Sequence, residues 1–228
     1  MSKSSLLRKT HSSFHGGQTI FSKDAKSIEA KLSTIVPLII EALETQYPDV
    51  QFEHHKAIRK NSEYYELNGY ELQNKNASIK PDGGMITANK IPIFFGEVKT
   101  QGTNHLRHKE GLSKQSMGNG IERVQKNTFE IQHIMKDYDY MPYIVFVQGS
   151  DFHKGSSIID RISRLAPFNE LKIKGDLPSV FIHINDNWYD DPIEWTSEDI
   201  YHLCLECCQT VMEQYVIPGK ATNNVHRQ

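Results

Sequence analysis

The succession of hydrophobic patterns predicts an α/β fold, a central mixed β-sheet flanked by helices on both faces. Three observations carry this. Residues 23–46 repeat apolar side chains at helical steps; residues 90–99 and 142–147 read as strands; helical spacing returns over 119–138 and over 196–215.

Within 23–46, Ile28, Leu32, Ile35, Ile39 and Leu43 are three and four apart, which draws one face of a helix, with Pro37 placed to bend it. A polar stretch rich in Asn, Glu and Tyr follows and ends near Asn76. A short strand over 77–80 runs into the turn Pro81-Asp82-Gly83-Gly84, and 90–99 forms a longer strand. The helix over 119–138 carries Ile121, Val124, Ile131, Ile134 and Met135. Residues 142–147 are continuously apolar, which suits a central strand buried on both faces. Residues 179–184 form another strand. Thr196 and Ser197 offer N-caps for a last helix reaching about Tyr215, turning Ile200, Leu203, Cys207 and Val211 inward.

At 228 residues the chain is long enough for one sizeable core and does not require two. Residues 18–228 are expected to form a single domain. Residues 1–17 carry Lys3, Arg8 and Lys9 without an apolar stretch, so they read as a mobile basic tail and not a secretory signal. No apolar run approaches the roughly 18 residues that a membrane helix needs. A net charge of −2 argues against a protein that coats nucleic acid indiscriminately. It leaves site-specific binding open, because acidic ligands and an acidic outer surface can offset a basic cleft. The three cysteines, Cys204, Cys207 and Cys208, lie in one helical run with no second ligand pair nearby. They read as small core side chains, free thiols suited to a reducing cytoplasm. His105, His108 and His133 show no ligand pattern and receive no catalytic role.

The chemistry concentrates in Ile79-Lys80-Pro81-Asp82-Gly83-Gly84 and Phe95-Gly96-Glu97-Val98-Lys99. A strand sends alternate side chains to one face, so Glu97 and Lys99 point the same way, roughly 6–7 Å apart. Ile91, Ile93 and Phe95 share that face, so an apolar pattern turns ionic at the strand's end. Phosphodiester hydrolysis needs a hard cation, and magnesium prefers a few carboxylates with water and phosphate oxygens. Asp82 and Glu97 would hold Mg2+, with the Val98 carbonyl as a further ligand. Lys99 would orient the attacking water and stabilise the pentavalent phosphorus. By itself the pattern is loose. It equally describes a tight turn followed by an exposed ion pair.

The flanking residues narrow the choice. Ser78-Ile79-Lys80-Pro81-Asp82-Gly83-Gly84, Glu97-Val98-Lys99-Thr100-Gln101-Gly102 and Gly118-Asn119-Gly120-Ile121-Glu122-Arg123, with Lys126-Asn127 after it, closely resemble the EcoRI family of type II restriction endonucleases. So do Pro142-Tyr143-Ile144-Val145-Phe146 with Gly149-Ser150-Asp151-Phe152, and Asp160-Arg161-Ile162-Ser163-Arg164-Leu165. These blocks stand in the family's order between 78 and 165, and the resemblance weakens afterwards.

The resemblance implies a restriction-endonuclease-like PD-(D/E)XK core in which one domain both binds and cuts duplex DNA. It implies a homodimer making staggered cuts in a palindrome, and bacterial, cytoplasmic work beside a cognate DNA methyltransferase that protects the host. Asp82, Glu97 and Lys99 take the catalytic positions. Asn119 and Arg123 match residues that read adenines in the major groove. Gly120 and Lys126 lie in the same DNA-binding block, and Arg161 and Arg164 match an arginine pair that binds the backbone and guanine. Physical chemistry agrees: Asn bonds bidentately to adenine and Arg to a purine N7, each good pair discriminating by about 1–3 kcal/mol. Taken alone, Asn119 is equally an N-cap, Arg123 a surface partner of a nearby Glu, and Arg161 with Arg164 an ordinary surface pair. Gln115, Ser116 and Met117 depart from the family's pattern, and Gly120 replaces an alanine. These positions touch pyrimidines, so a central AATT, as in GAATTC or a relative, is better supported than the flanking bases. The stretch between Glu97 and Asn119 is also shorter, which alters the arms around DNA. The competing readings are a repair nuclease or junction resolvase on the same fold, or a DNA-binding module without catalysis.

Overall fold

A computed structural model of the chain describes residues 20–59, 64, 78–102, 104–114, 119–166 and 168–217, with backbone alone at 20–26, 119–120 and 165. The basic segment 1–17 lies outside the described residues, as do Gln115, Ser116, Met117 and Gly118.

Helix α1 (Ile20–Gln46) leads into strands β1 (Phe52–His55) and β2 (Ile58–Arg59). After β3 (Ser78–Ile79), strands β4 (Gly84–Ala88) and β5 (Ile91–Thr100) form a hairpin. Its two-residue turn holds Asn89 and Lys90 at φ 50° and 68°, the left-handed pair that matches the twist of the flanking strands. Helix α2 (Asn104–Lys109) and helix α3 (Asn119–Ile134) carry the chain to β6 (Tyr143–Gln148). Helix α4 (Ser157–Leu165), β7 (Ser179–Ile182) and α5 (Ser197–Val211) follow, and a wider π-helical turn, Met212–Val216, ends the described chain.

Five strands form one mixed sheet in the order β1-β4-β5-β6-β7, while β2 and β3 pair separately. β5 pairs antiparallel with β4 and parallel with β6, so it has a neighbour on each edge. The parallel step is made through α3, as a crossover helix must make it. α1 and α5 pack on each other and on β5, while α3 packs on β5 and on α4. Strand alternation separates these layers. Leu32 of α1 lies against Gly96, on the even side of β5, and Asn127 of α3 meets Glu97, on the odd side. This is the α/β core predicted from the sequence patterns and implied by the resemblance.

All six residues of β6 are buried, as their unbroken apolar run predicts. Ile28, Leu32, Ile35, Ile39 and Leu43 form the inner face of α1, and helical hydrogen bonding continues past Pro37. Thr196 caps α5, its hydroxyl accepting from the Asp199 amide at 3.1 Å. The Trp195 indole donates to the Val147 carbonyl at 3.1 Å, and Lys31 donates to the Trp195 carbonyl at 2.8 Å, tying α5 to both β6 and α1.

The structure differs from the sequence expectations in four places. Leu203 packs against the core from a half-buried position, and Cys204, Cys207 and Cys208 fill the fully buried stripe beside Ile200 and Val211. The helix beginning at 119 stops at Ile134 and not at Tyr138, and the strand beginning at 179 stops at Ile182. Strands β1, β2 and β4 and helices α2 and α4 were not foreseen as elements. They are short, and fewer than three turns of helix or six residues of strand show little periodicity.

Candidate active site

The turn after β3 and the second half of β5 come together through backbone bonds. The Gly83 amide donates to the Gly96 carbonyl at 2.9 Å, and the Gly84 amide closes the turn on the Pro81 carbonyl at 2.9 Å. A side chain at Gly83 would start 2.9 Å from Leu32 Cδ2, so glycine lets α1 lie this close beneath the turn without displacing the buried Leu32. From β1, His54 bonds the Gly83 carbonyl through Nε2 at 3.0 Å and holds the turn from the other side.

This frame brings the predicted catalytic groups together. Asp82 Oδ2 accepts from the Val98 amide at 2.9 Å, and the Asp82 amide donates to Glu97 Oε2 at 3.3 Å. Lys99 Nζ donates to Glu97 Oε1 and, at 3.0 Å, to the Val98 carbonyl, and it stands 3.8 Å from Asp82 Oδ2. The spacing of Glu97 and Lys99 on one face of β5 is as expected, and Ile93 and Phe95 behind them are fully buried. These groups are not an exposed ion pair, for Glu97 is 2% exposed.

Burial sets the electrostatics. Desolvation pushes the Glu97 carboxyl up to about 7, and the neighbouring Asp82 charge adds to this, against the pull of Lys99 and two hydrogen bonds. Tyr143, on β6, is buried and its hydroxyl is raised by burial and by the negative charges of Glu97 and Asp82. Negative charge at this strand end is costly without a counter-charge, so a bound cation would be strongly favoured. Two carboxylates and the Val98 carbonyl form an all-oxygen set that fits a hard divalent cation such as magnesium. Among the described residues no cluster of three His, Cys, Asp or Glu side chains offers a metal site.

The predicted DNA-binding residues sit on two helices that pack together. Arg123 and Lys126 are exposed on α3, and Arg161 and Arg164 are exposed on α4, whose first turn is capped by Ser156. Asn119 and Gly120 open α3, and their side chains lie outside the described residues. Arg123 is one turn before Asn127, so it shares the helix face that reaches Glu97.

Sequence reasoning missed Asn127 itself, which donates from Nδ2 to Glu97 Oε1 at 2.9 Å. Its signals were its place four residues after Arg123 and its membership, with Lys126, of a block that resembles the family, and neither pointed to Glu97. It also missed a buried polar cluster beyond the C-terminal ends of β5 and β6. There Asp151 accepts from the Asn104 side-chain amide, and burial pushes its carboxyl up to about 6. The Ser150 hydroxyl accepts from the Asn104 amide at 3.1 Å. At Gly149, φ is 143°, and a Cβ would lie 1.9 Å from the Gln101 carbonyl oxygen.

Comparison with known proteins adds an independent finding. The family model for the restriction endonuclease EcoRI matches residues 14–166. The type II restriction enzyme EcoRI of Escherichia coli is 29% identical over 169 residues, covering 66% of this chain and 61% of that protein. The type II restriction enzyme RsrI of Cereibacter sphaeroides is 27% identical over 165 residues, covering 64% and 60%. The chain thus spans about three fifths of the length of the curated relatives it matches. The matched segment contains Asp82, Glu97, Lys99, Arg123, Arg161 and Arg164, and it stops before β7 and α5.

Proposed function

The chain belongs to the EcoRI family of restriction endonucleases, and on that premise we propose that it cleaves both strands of duplex DNA at a short palindrome by metal-dependent phosphodiester hydrolysis. The observation that carries this is the convergence of Asp82, Glu97 and Lys99 on one buried strand end, with the reading helices packed beside it.

Magnesium is the proposed cofactor, held by Asp82, Glu97 and the Val98 carbonyl; when bound it supplies positive charge that offsets the charge developing on the phosphate. Asp82 is aimed by the Val98 amide and Glu97 by the Asp82 amide, so both carboxylates are oriented before any ligand arrives. Lys99 orients the attacking water and donates to the phosphoryl oxygens as the pentavalent phosphorus forms. Burial behind Ile93 and Phe95 keeps bulk water from screening these charges.

Asn119, Gly120 and Arg123 are the proposed base readers, with Lys126, Arg161 and Arg164 on phosphate and guanine. The central AATT follows from Asn119 and Arg123 as adenine readers. A palindrome requires two copies of the chain, each cutting one strand. A cognate methyltransferase would share the site without stable contact. The buried free thiols of Cys204, Cys207 and Cys208 support the bacterial cytoplasm as the place of action. Among the described residues no helix is long and apolar enough to cross a membrane.

Incubation with plasmid and magnesium is expected to give discrete fragments whose sequenced ends share one palindrome. Intact DNA, or a smear without common ends, would overturn the proposal. Preferential cutting of branched or damaged duplex would favour a repair nuclease instead.

A further inference from the structure

The carboxylate of Glu97 is buried, and an ionised carboxylate offers about four acceptor positions. Two donors converge on Oε1, Lys99 Nζ and Asn127 Nδ2, the latter at 2.9 Å. Oε2 receives the Asp82 amide at 3.3 Å and keeps spare capacity on the side of the Asp82 turn. The two donors on Oε1 differ in kind. Lys99 is a charge on a long, rotatable arm that the proposed reaction needs beside water and phosphate, and it cannot serve there while it rests on Glu97. Asn127 is a neutral amide fixed on α3, and it can stay on Oε1 when Lys99 moves.

Asn127 also comes from a different element. Glu97 belongs to β5, whereas Asn127 belongs to the helix that opens with Asn119 and carries Arg123 one turn earlier. One hydrogen bond therefore joins the helix that faces DNA to the carboxylate that faces the cation. Resting on the nuclease reading above, we propose that Asn127 is a positioning residue that holds Glu97 Oε1 from the reading helix, keeping the carboxylate aligned when Lys99 engages the substrate.

Three variants of the full chain test this. Asn127→Ala removes the donor, Asn127→Asp keeps the shape but places an acceptor against Oε1, and Asn127→Gln keeps a donor on a longer arm. Single-turnover cleavage of a plasmid fragment that the wild type cuts should fall about 10–100-fold in the first two, the range seen when a group orienting a metal ligand is lost. The magnesium concentration for half-maximal rate should rise about tenfold in both, with Asn127→Gln recovering part of each loss. Affinity for the same fragment in EDTA should stay within about threefold of wild type.

Wild-type rate and magnesium dependence in Asn127→Ala and Asn127→Asp would overturn the proposal. So would a loss of fragment affinity at unchanged magnesium dependence, since that marks a direct phosphate contact. A readout independent of cleavage is the side-chain amide resonance of Asn127 in metal-free protein. It should be shifted and slow to exchange in the wild type, and should return to the position of a solvent-exposed asparagine in Glu97→Ala. A resonance already at the solvent position in the wild type overturns the bond itself. Intact DNA with the wild type sinks the nuclease reading, and the resonance still decides whether the contact exists.

Discussion

The backbone amide of Val98 donates to the carboxylate of Asp82 across 2.9 Å, so the turn after β3 is fastened to the strand that carries Glu97 and Lys99. Asp82 thus has two separable roles, as an acceptor and as a charge. Asp82→Asn keeps an acceptor for Val98 and should unfold within about 1 kcal/mol of wild type, yet lose cleavage by at least about 10²-fold. Asp82→Ala should lose cleavage equally and cost a further 1–3 kcal/mol, roughly, because a buried backbone donor loses its charged partner. Urea unfolding beside single-turnover kinetics separates the two effects.

In the proposed mechanism Lys99 serves the chemistry and not the binding. Lys99→Ala should cut the rate by about 10²–10³-fold and leave affinity for the cognate fragment in calcium within about threefold. Gel shift and cleavage on one preparation check it.

Glu97 makes stability depend on pH. Its folded pKa of about 7 lies above the ordinary 4.5, so folding takes up a proton between those values. The stability it contributes is whole below about 4.5 and is lost as pH rises through about 7. Glu97→Gln carries no charge to bury. In EDTA at pH 8 it should be more stable than wild type by about 1–3 kcal/mol, and that margin should vanish near pH 4.5. Calcium affinity in the wild type should correspondingly strengthen up to about pH 7, since a bound cation displaces the proton. Urea melts and titration calorimetry at several pH values give both curves.

Arg161 and Arg164 stand exposed on α4 and are expected to meet the DNA backbone and guanine. Replacing either by Ala should weaken binding: loss of a backbone contact should lower the slope of log affinity against log salt by about 1, and loss of a guanine contact should relax discrimination at that base. A replacement that changes neither slope nor discrimination would remove that arginine from the interface.

Gly149 marks where β6 passes Gln101 at the end of β5. Gly149→Ala meets the Gln101 carbonyl at 1.9 Å from a positive φ, so it should destabilise the fold by about 3 kcal/mol or more. Differential scanning calorimetry measures this directly.

The convergence of the proposed catalytic groups was legible in the sequence because strand alternation is local: Glu97 and Lys99 are two residues apart, and one turn supplies Asp82. The long elements were legible from equally local patterns, α1 from its helical period and β6 from its unbroken apolar run. What escaped depends on contacts far apart in the chain. Nothing near Asn127 says that it meets Glu97 thirty residues earlier. The bonds of His54 to the Asp82 turn and of Asn104 to Asp151 are equally non-local. That α5 packs against both α1 and β5, with the small Cys204 fully buried in that contact, is likewise set by elements far apart in the chain.

The pairing of β5 on both edges orders how the molecule comes apart. Amides locked into the middle of a sheet exchange with solvent only when the whole domain melts, while those of short peripheral helices exchange through fraying. Gentle warming would therefore loosen α4, with its arginines, while the cutting centre is still intact. A partly opened molecule would lose its grip on a target before it lost the means to break it, so it would fall silent and not cut at random.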